Sequence, residues 1–152
     1  MGWENGLREY IEFLKQRYNL SDAQIREELY GDKLPLAIFA TSLTPLQAAA
    51  KYLSESLHKT PKEIATLLGR STAEIEKFLA ATKSHPALPT ESQYKIPATL
   101  FADRTLSASE HIVAYLERDG LGISDIATLL KKAEQTIWTL HYRIAKKRGE
   151  SK

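Results

Sequence analysis

The sequence contains no cysteine and only four histidines among its 152 residues. Without cysteine the chain can form no disulfide, no thiolate metal site and no thiol nucleophile. No two histidines have the spacing that places a pair of metal ligands on one helix face, the four being His58, His85, His111 and His141. We therefore expect no metal site.

Long apolar runs are also absent from the sequence. Charged side chains interrupt the apolar stretches every few positions, so that none approaches the roughly 20 residues that span a bilayer. The start, Met1-Gly2-Trp3-Glu4, lacks the basic and apolar segments of a signal peptide. Because 43% of the residues are hydrophobic, the chain can nevertheless bury a core. These features predict a soluble, cytoplasmic protein with no membrane partner.

Side chains arranged for catalysis do not stand out either. The sequence has no evident Ser-His-Asp set, phosphate-binding loop or carboxylate pair. His58 falls near the expected end of a helix, where an imidazole suits the helix dipole. His141 lies beside an apolar stripe, where packing or hydrogen bonding explains it better than a role as a base. We expect the protein not to be an enzyme.

The net charge of +2 is small, so composition alone does not predict a nucleic-acid partner. The distribution of that charge is uneven. Residues 1–32 carry four basic and seven acidic side chains, whereas residues 131–152 carry seven basic and two acidic ones. A basic end of this kind suits contact with phosphates, but it is equally typical of a solvated tail.

A repeat with a period of about 62 residues organises most of the chain. Five identical residues in succession, within one register, indicate duplication rather than chance. Between the matching segments the register shifts by one residue, so that Leu43 corresponds to Leu106 and Tyr52 to Tyr115. The clearest matches are LPLAIFA (34–40) with IPATLFA (96–102), and EIATLL (63–68) with DIATLL (125–130).

A fainter third copy precedes these two repeats. Ser21 and Gln24-Ile25 lie 39 residues before Thr60 and Glu63-Ile64. This copy reproduces only the first two helices of the unit, because Gly31-Asp32 follows where a third helix would start. We interpret residues 1–32 as a degenerate helical unit that extends or caps the repeats.

Helix boundaries are marked by short oxygen-bearing side chains, which satisfy the free amides of a first helical turn. Thr44-Pro45 and Thr60-Pro61 each place proline at the first helical position, and Ser71 and Ser107 each precede a capping-box glutamate. No segment alternates with period two, so we expect an all-α fold without a sheet. The predicted helices of the repeats are 45–57, 61–68 and 72–82, then 108–119, 124–130 and 134–148.

The repeats predict two three-helix modules joined by a linker. The first module covers residues 33–83 and the second residues 96–152. Residues 84–95 between them contain two prolines and no helical stripe, which is typical of a linker. Such a linker would let the modules move unless the segments LPLAIF and IPATLF dock them. As an exposed apolar segment, LPLAIF could dock the modules within one chain or join two chains.

The stretch ISDIATLLKKAEQTIWTLHYRIAKKR, residues 123–148, resembles the helix-turn-helix of bacterial sigma factor region four and of related response-regulator-type domains. In that family an acidic residue, an aliphatic residue and an alanine open the second helix, as Asp125-Ile126-Ala127 do here. A Thr-aliphatic pair enters the recognition helix, as Thr136-Ile137 does, and Arg143 matches a later basic position. The resemblance implies duplex DNA binding with the last helix in the major groove, without a cofactor and without catalysis.

The two repeats depart from this family in different ways. The second has Lys131-Lys132 and Ala133 where the family usually has a glycine turn and a Ser or Thr cap, which removes a cap but adds two cations. The first keeps Gly69 and a serine cap, yet its last helix carries two glutamates that would oppose a phosphate backbone. We expect the second module to carry nucleic-acid affinity and the first to be a weak reader or a protein-binding surface.

A helix over 134–148 would bury Ile137, Leu140 and Ile144 and present its opposite face to DNA. Gln and Arg side chains can bond bidentately to base edges, and a Thr can touch a thymine methyl. Trp138 has two interpretations, a nucleic-acid contact or a packing residue between the modules or against the 108–119 helix. The candidate nucleic-acid-binding residues are Lys131, Lys132, Gln135, Trp138, Thr139, Tyr142, Arg143, Lys146, Lys147 and Arg148.

The leading hypothesis is a DNA-binding transcriptional regulator or sigma-like factor, which would be nucleoid-associated. A helix-turn-helix fold does not settle function, because such folds also serve as protein-binding modules. The alternatives are a helical protein-protein adaptor or self-associating scaffold, and RNA binding through the same basic surface. The N-terminal unit or the first module could bind a protein partner or form a homodimer.

Overall fold

The computed structural model describes residues 2–149 and confirms the all-α class. Within this range none of the helices is both long enough and apolar enough to cross a membrane. The α-helices are α1 (Gly2–Tyr18), α2 (Asp22–Tyr30), α3 (Pro45–Glu55), α4 (Pro61–Leu68), α5 (Thr72–Thr82), α6 (Ala108–Arg118), α7 (Ile123–Leu130) and α8 (Glu134–Lys147). The short elements are strands β1 (Lys33–Pro35) and β2 (Lys95–Pro97) and the 3₁₀ helices η1 (Leu36–Ala40) and η2 (Ala98–Ala102).

The chain divides into two compact units, with the boundary after Asp32. The first unit consists of α1 and α2, the two helices expected from the faint third copy. The Ser21 hydroxyl accepts from the Gln24 amide, and the Gln24 side chain accepts from the Ser21 amide, so α2 begins with a complete capping box. Leu14 and Ile25 are the buried apolar side chains of this unit.

The second unit begins at Lys33 and contains both repeats. Its six α-helices match the predicted bounds within two residues. The caps explain this agreement, because Thr44, Thr60 and Ser107 each accept a hydrogen bond from the amide three residues later. Gln47 completes a capping box with Thr44, where only the threonine cap was predicted.

The last helices of the two repeats, α5 and α8, begin with different caps. The predicted box at Ser71 is only half formed, since its hydroxyl accepts from the Glu74 amide without a reciprocal bond to the Ser71 amide. Ala133, the corresponding residue before α8, provides no side-chain cap, as expected. The helix that is expected to read DNA therefore begins without a side-chain bond to its free amides.

The expectation that the chain has no sheet is wrong. Strands β1 and β2 pair antiparallel, with Leu34 opposite Ile96 at the centre. Each strand has three residues, which is too short for an alternating pattern to be recognised, and each ends in a proline. Leu34 and Ile96 are equivalent positions of the two repeats. The pairing therefore relates the repeats locally by an approximate two-fold axis.

The two repeats exchange packing partners through the segments that follow these strands. The η1 segment of the first repeat packs on α7 of the second, and η2 of the second packs on α4 of the first. Phe39 of η1 and Phe101 of η2 lie 5.8 Å apart between ring centroids. The suggestion that LPLAIF is an exposed segment is wrong, since Leu34, Leu36 and Ile38 are fully buried. Both repeats share one hydrophobic core.

The segment between the repeats is also attached to the first repeat. Leu88 is buried, and the Ser92 hydroxyl accepts a hydrogen bond from the Ala37 amide at 3.1 Å. The carbonyl of Tyr94 accepts from the Leu36 amide at 2.9 Å. The linker would let the modules move only if the segments LPLAIF and IPATLF were not docked. In the structure these segments are docked.

Candidate nucleic-acid interface

Helix α8 has one buried and one exposed face. Ile137 and Ile144 are buried and Leu140 is partly buried, as the apolar stripe predicts. The opposite face carries side chains that line one shallow surface depression. These are Gln135, Trp138, Thr139, Tyr142, Arg143 and Lys146, all of them candidate residues from the sequence.

Two aromatic side chains stand out on this face. Trp138 is 52% exposed and Tyr142 is 60% exposed, and they lie four residues apart on the helix. The Trp138 ring meets the His141 ring edge-on at a centroid distance of 5.5 Å. His141 is held by a hydrogen bond between its Nδ1 and the Glu117 carboxylate, which agrees with the hydrogen-bonding role expected for it. Large aromatic surface is thus available to a partner beside the polar groups.

The turn before α8 adds two cations. Lys131 and Lys132 are both exposed, and Lys131 directly follows the last residue of α7. Lys131 adopts a left-handed conformation with φ of 55°, at the position where the first repeat has Gly69 with φ of 64°. A residue with a Cβ costs roughly 1 kcal/mol or more in this conformation. A lysine here therefore carries a backbone cost that glycine avoids.

Lys147 differs from the other candidate cations. Its Nζ donates to Oε1 of Glu110 at 2.6 Å, joining α8 to the start of α6. The Glu110 side chain is only 3% exposed. Burial acts to raise the pKa of Glu110, but hydrogen bonds from Lys147 and from the Ser107 amide outweigh it and hold this pKa below its usual value. Lys147 therefore neutralises a buried carboxylate, while its role as a phosphate contact stays a prediction.

The remaining candidate cations are exposed. Lys146 lines the depression beside Arg143, and Arg148 follows directly after the last residue of α8. The predicted basic end, residues 131–152, also includes Glu150 and Lys152, which lie outside the described residues. Sequence reasoning did not find the pairing of Glu110 with Lys147, because the two residues are 37 positions apart and a capping-box glutamate gives no sign of burial.

The corresponding helix of the first repeat provides an internal comparison. Ile75 of α5 is buried as Ile137 of α8 is, so the two helices present equivalent faces. The side chains on these faces are very different in size and charge. The α8 residues Gln135, Trp138, Thr139, Tyr142 and Arg143 correspond in α5 to Ala73, Glu76, Lys77, Ala80 and Ala81, and Lys146 corresponds to Ser84, which follows α5.

The chain matches no protein-family model, no curated protein and no solved structure. Among residues 2–149, no three His, Asp or Glu side chains lie together in a way that could hold a metal ion. The helix-turn-helix resemblance remains a hypothesis from the sequence.

Proposed function

We propose that the chain binds duplex DNA through the exposed face of α8 and acts as a transcriptional regulator or sigma-like factor. The observation that carries this proposal is the contrast between α8 and α5. Each helix buries an isoleucine at the matching position, yet on the outer face α8 has Trp138, Tyr142 and Arg143 where α5 has Glu76, Ala80 and Ala81. Large aromatic and cationic side chains on an exposed face add little to the core, so their presence supports selection for contact with a partner rather than for folding.

The chemistry of the α8 face suits a duplex. Gln135 and Arg143 carry groups that bond bidentately to adenine and guanine edges, and the Thr139 methyl can contact a thymine methyl. Lys131, Lys132 and Lys146 can neutralise phosphates, which provides affinity and orientation. Each of these side chains is exposed or partly exposed, so binding would require no unfolding of the core.

A salt-series titration tests this proposal. Fluorescence anisotropy would be measured with a mixed-sequence DNA duplex and with a structured RNA, using the full chain. We expect tighter binding to the duplex, weakening steeply as salt rises. The triple variant Lys131→Ala, Lys132→Ala, Arg143→Ala should lose about tenfold or more in affinity. Its plot of log affinity against log salt should become shallower by about 0.9 for each lost phosphate contact.

The first repeat supplies the matched control. The triple variant Lys62→Ala, Lys77→Ala, Lys83→Ala removes the same charge from exposed positions of that repeat. Its affinity should stay within about twofold of the unmodified chain, because long-range charge effects are screened at physiological salt. Equal losses in both triple variants would show non-specific attraction, and binding to neither nucleic acid at low salt would reject the proposal.

Protein binding by the same face is the second candidate function. The exposed rings of Trp138 and Tyr142, next to Arg143, favour it, because Trp, Tyr and Arg dominate the energetics of protein interfaces. In the titration, this alternative predicts no affinity for either nucleic acid. Analytical ultracentrifugation of the full chain and of Trp138→Ala would then test self-association, which the variant should weaken.

A further inference from the structure

A pocket of about 340 Å³ lies between the two repeats, next to the turn that connects α7 and α8. Phe39, Leu43 and Pro45 of the first repeat form one wall. Ile112, Ile137 and Leu140 of the second repeat form another. Small-molecule sites in proteins begin at about this volume and have predominantly apolar linings. The pocket has both properties, and of the residues proposed to contact DNA only Lys132 lines it.

Three polar side chains also line the pocket. They are the hydroxyl-bearing Ser109 and Thr136 and the cationic Lys132. Within residues 2–149 the structure gives the Lys132 ammonium no hydrogen bond and no ion pair. An apolar cleft with one uncompensated cation and two hydroxyls is complementary to a molecule that has an apolar body and one anionic group.

At the equivalent junction next to the turn between α4 and α5, arginine side chains bridge the two repeats. The Arg70 guanidinium donates to the carbonyls of Leu68 at 2.9 Å and of Phe101 at 3.2 Å, which joins the α4–α5 turn to η2. Arg104 donates to the Gly69 carbonyl at 3.0 Å and adds a second bridge. These bonds connect the α4–α5 turn of the first repeat to η2 of the second repeat.

The second junction lacks these bridging side chains. Lys132 of the second repeat corresponds to Arg70 of the first. Ser42, which lies after η1, corresponds to Arg104, which lies after η2. Ser109 replaces Leu46, which packs against the core in the first repeat. Lysine has no planar fork with which to bridge two carbonyls, and serine occupies less volume than leucine. The second junction therefore differs from the first at these three positions, of which Lys132 and Ser109 line the pocket.

We propose that this pocket binds a small amphipathic carboxylate, with its apolar body between the repeats and its carboxylate at Lys132. At about 30 Å³ for each non-hydrogen atom, the volume of a water in the liquid, the pocket accepts about ten such atoms. A medium-chain fatty acid has this size and this distribution of charge. Its apolar body would contact both repeats at once.

Isothermal titration of the full chain with sodium octanoate tests this site, with 1-octanol as the neutral probe of equal length. We expect saturable octanoate binding at a stoichiometry of one. Lys132→Gln should weaken octanoate binding about fivefold, the effect of losing one exposed ion pair, while leaving octanol binding unchanged. Lys62→Gln, which removes an exposed lysine of α4, should change neither affinity.

Ser109→Leu tests the location of the site, because it introduces the residue that the first repeat already accommodates as Leu46. This variant should abolish octanoate binding and keep the melting temperature of the unmodified chain or exceed it. Octanoate binding that survives Ser109→Leu, or no binding at millimolar octanoate, would overturn the proposed site. Equal effects of Lys132→Gln on octanoate and octanol would overturn the assignment of a carboxylate ligand. No DNA is present, so these outcomes are independent of the proposed function.

Discussion

Gly69 and Lys131 occupy the same position in the two repeats, and both have left-handed backbone conformations. Their surroundings differ. A Cβ added to Gly69 would lie 2.9 Å from the Cα of Ala102, a backbone atom that cannot move aside cheaply. Lys131 already carries its Cβ at the end of α7 and is exposed. Glycine is therefore required at the first position by both conformation and space, whereas at the second only conformation favours it.

We predict opposite effects of substitution at these two positions. Lys131→Gly should raise the free energy of unfolding by about 0.5 to 1 kcal/mol, because glycine adopts positive φ without strain. Gly69→Ala should lower it by about 2 kcal/mol or more, since strain and a steric clash add. Urea denaturation followed by circular dichroism measures both values.

Lys131→Ala is the control that separates backbone from charge. It removes the cation but keeps the Cβ, so its unfolding free energy should stay within about 0.5 kcal/mol of the unmodified chain. If Lys131→Ala stabilised the protein as much as Lys131→Gly, relief of charge repulsion would explain the gain and the backbone explanation would be wrong.

The buried Glu110 predicts a pH dependence of stability. Its pKa in the folded chain is below the usual value. The stabilisation it provides is therefore complete above its unfolded pKa of about 4.3 and is lost as pH falls through the folded value. Lys147→Met should cost about 1 to 3 kcal/mol at pH 7, because it leaves a buried carboxylate without its cation. This cost should shrink as the pH is lowered and Glu110 becomes protonated.

A double-mutant cycle assigns the effect to the pair. Glu110→Gln retains a capping side chain and removes the charge, so Lys147→Met should cost less than about 0.5 kcal/mol in that background. A similar cost with and without Glu110 would mean that Lys147 stabilises α8 by other contacts. Guanidinium denaturation at several pH values provides the measurement.

At the scale of elements, helix limits were predictable because their causes are local. Threonine and proline at Thr44-Pro45 and Thr60-Pro61 act within four residues of chain, and the structure places the helix starts where these signals are. The exposed face of α8 was predictable for the same reason, since it follows from the spacing of Ile137 and Ile144. Strands β1 and β2 were missed because three residues paired across the repeats leave no local pattern.

The outer face of α8 should contribute to binding without contributing to folding. The double variant Trp138→Ala, Tyr142→Ala removes two exposed side chains and substitutes the residue with the highest helix propensity. We expect its unfolding free energy to stay within about 0.5 kcal/mol of the unmodified chain. Its affinity for duplex DNA, measured by anisotropy, should fall about tenfold or more if these rings lie at the proposed interface.

The α5 helix offers the matching control for this experiment. Glu76→Ala and Lys77→Ala also change two exposed positions, and they should leave DNA affinity within about twofold of its original value. Should the α8 double variant instead lose stability together with affinity, the aromatic rings would have a structural role and the loss of binding would not identify a contact surface.

At the scale of the whole molecule, the reciprocal packing of η1 on α7 and η2 on α4 makes the repeats depend on each other. The sequence revealed the duplication, but two repeats in tandem are compatible with both independent modules and interlocked ones. Whether the repeats are independent or interlocked depends on which surfaces bury Ile38 and Phe101. The residues that form these surfaces are far apart in the chain.

Separated repeats should therefore fold only together. A fragment of residues 33–89 and one of residues 90–149 expose, when alone, apolar segments that the intact unit buries. We expect each fragment to show little cooperative unfolding, and an equimolar mixture to regain helical circular dichroism with a melting temperature that rises with concentration. Cooperative melting of either fragment alone would establish independent modules.

The antiparallel pairing of Leu34 with Ile96 has a consequence for the shape of any DNA target. Two identical helix-turn-helix subunits on a two-fold axis require a palindrome, because each subunit reads one half-site. Here the two halves that meet at the axis are covalently linked and differ in the outer faces of α5 and α8, so under the proposed function only the second half would contact bases. If α8 reads DNA as proposed, its target is a single asymmetric half-site, and an inverted copy of that site placed alongside adds no affinity for a single chain.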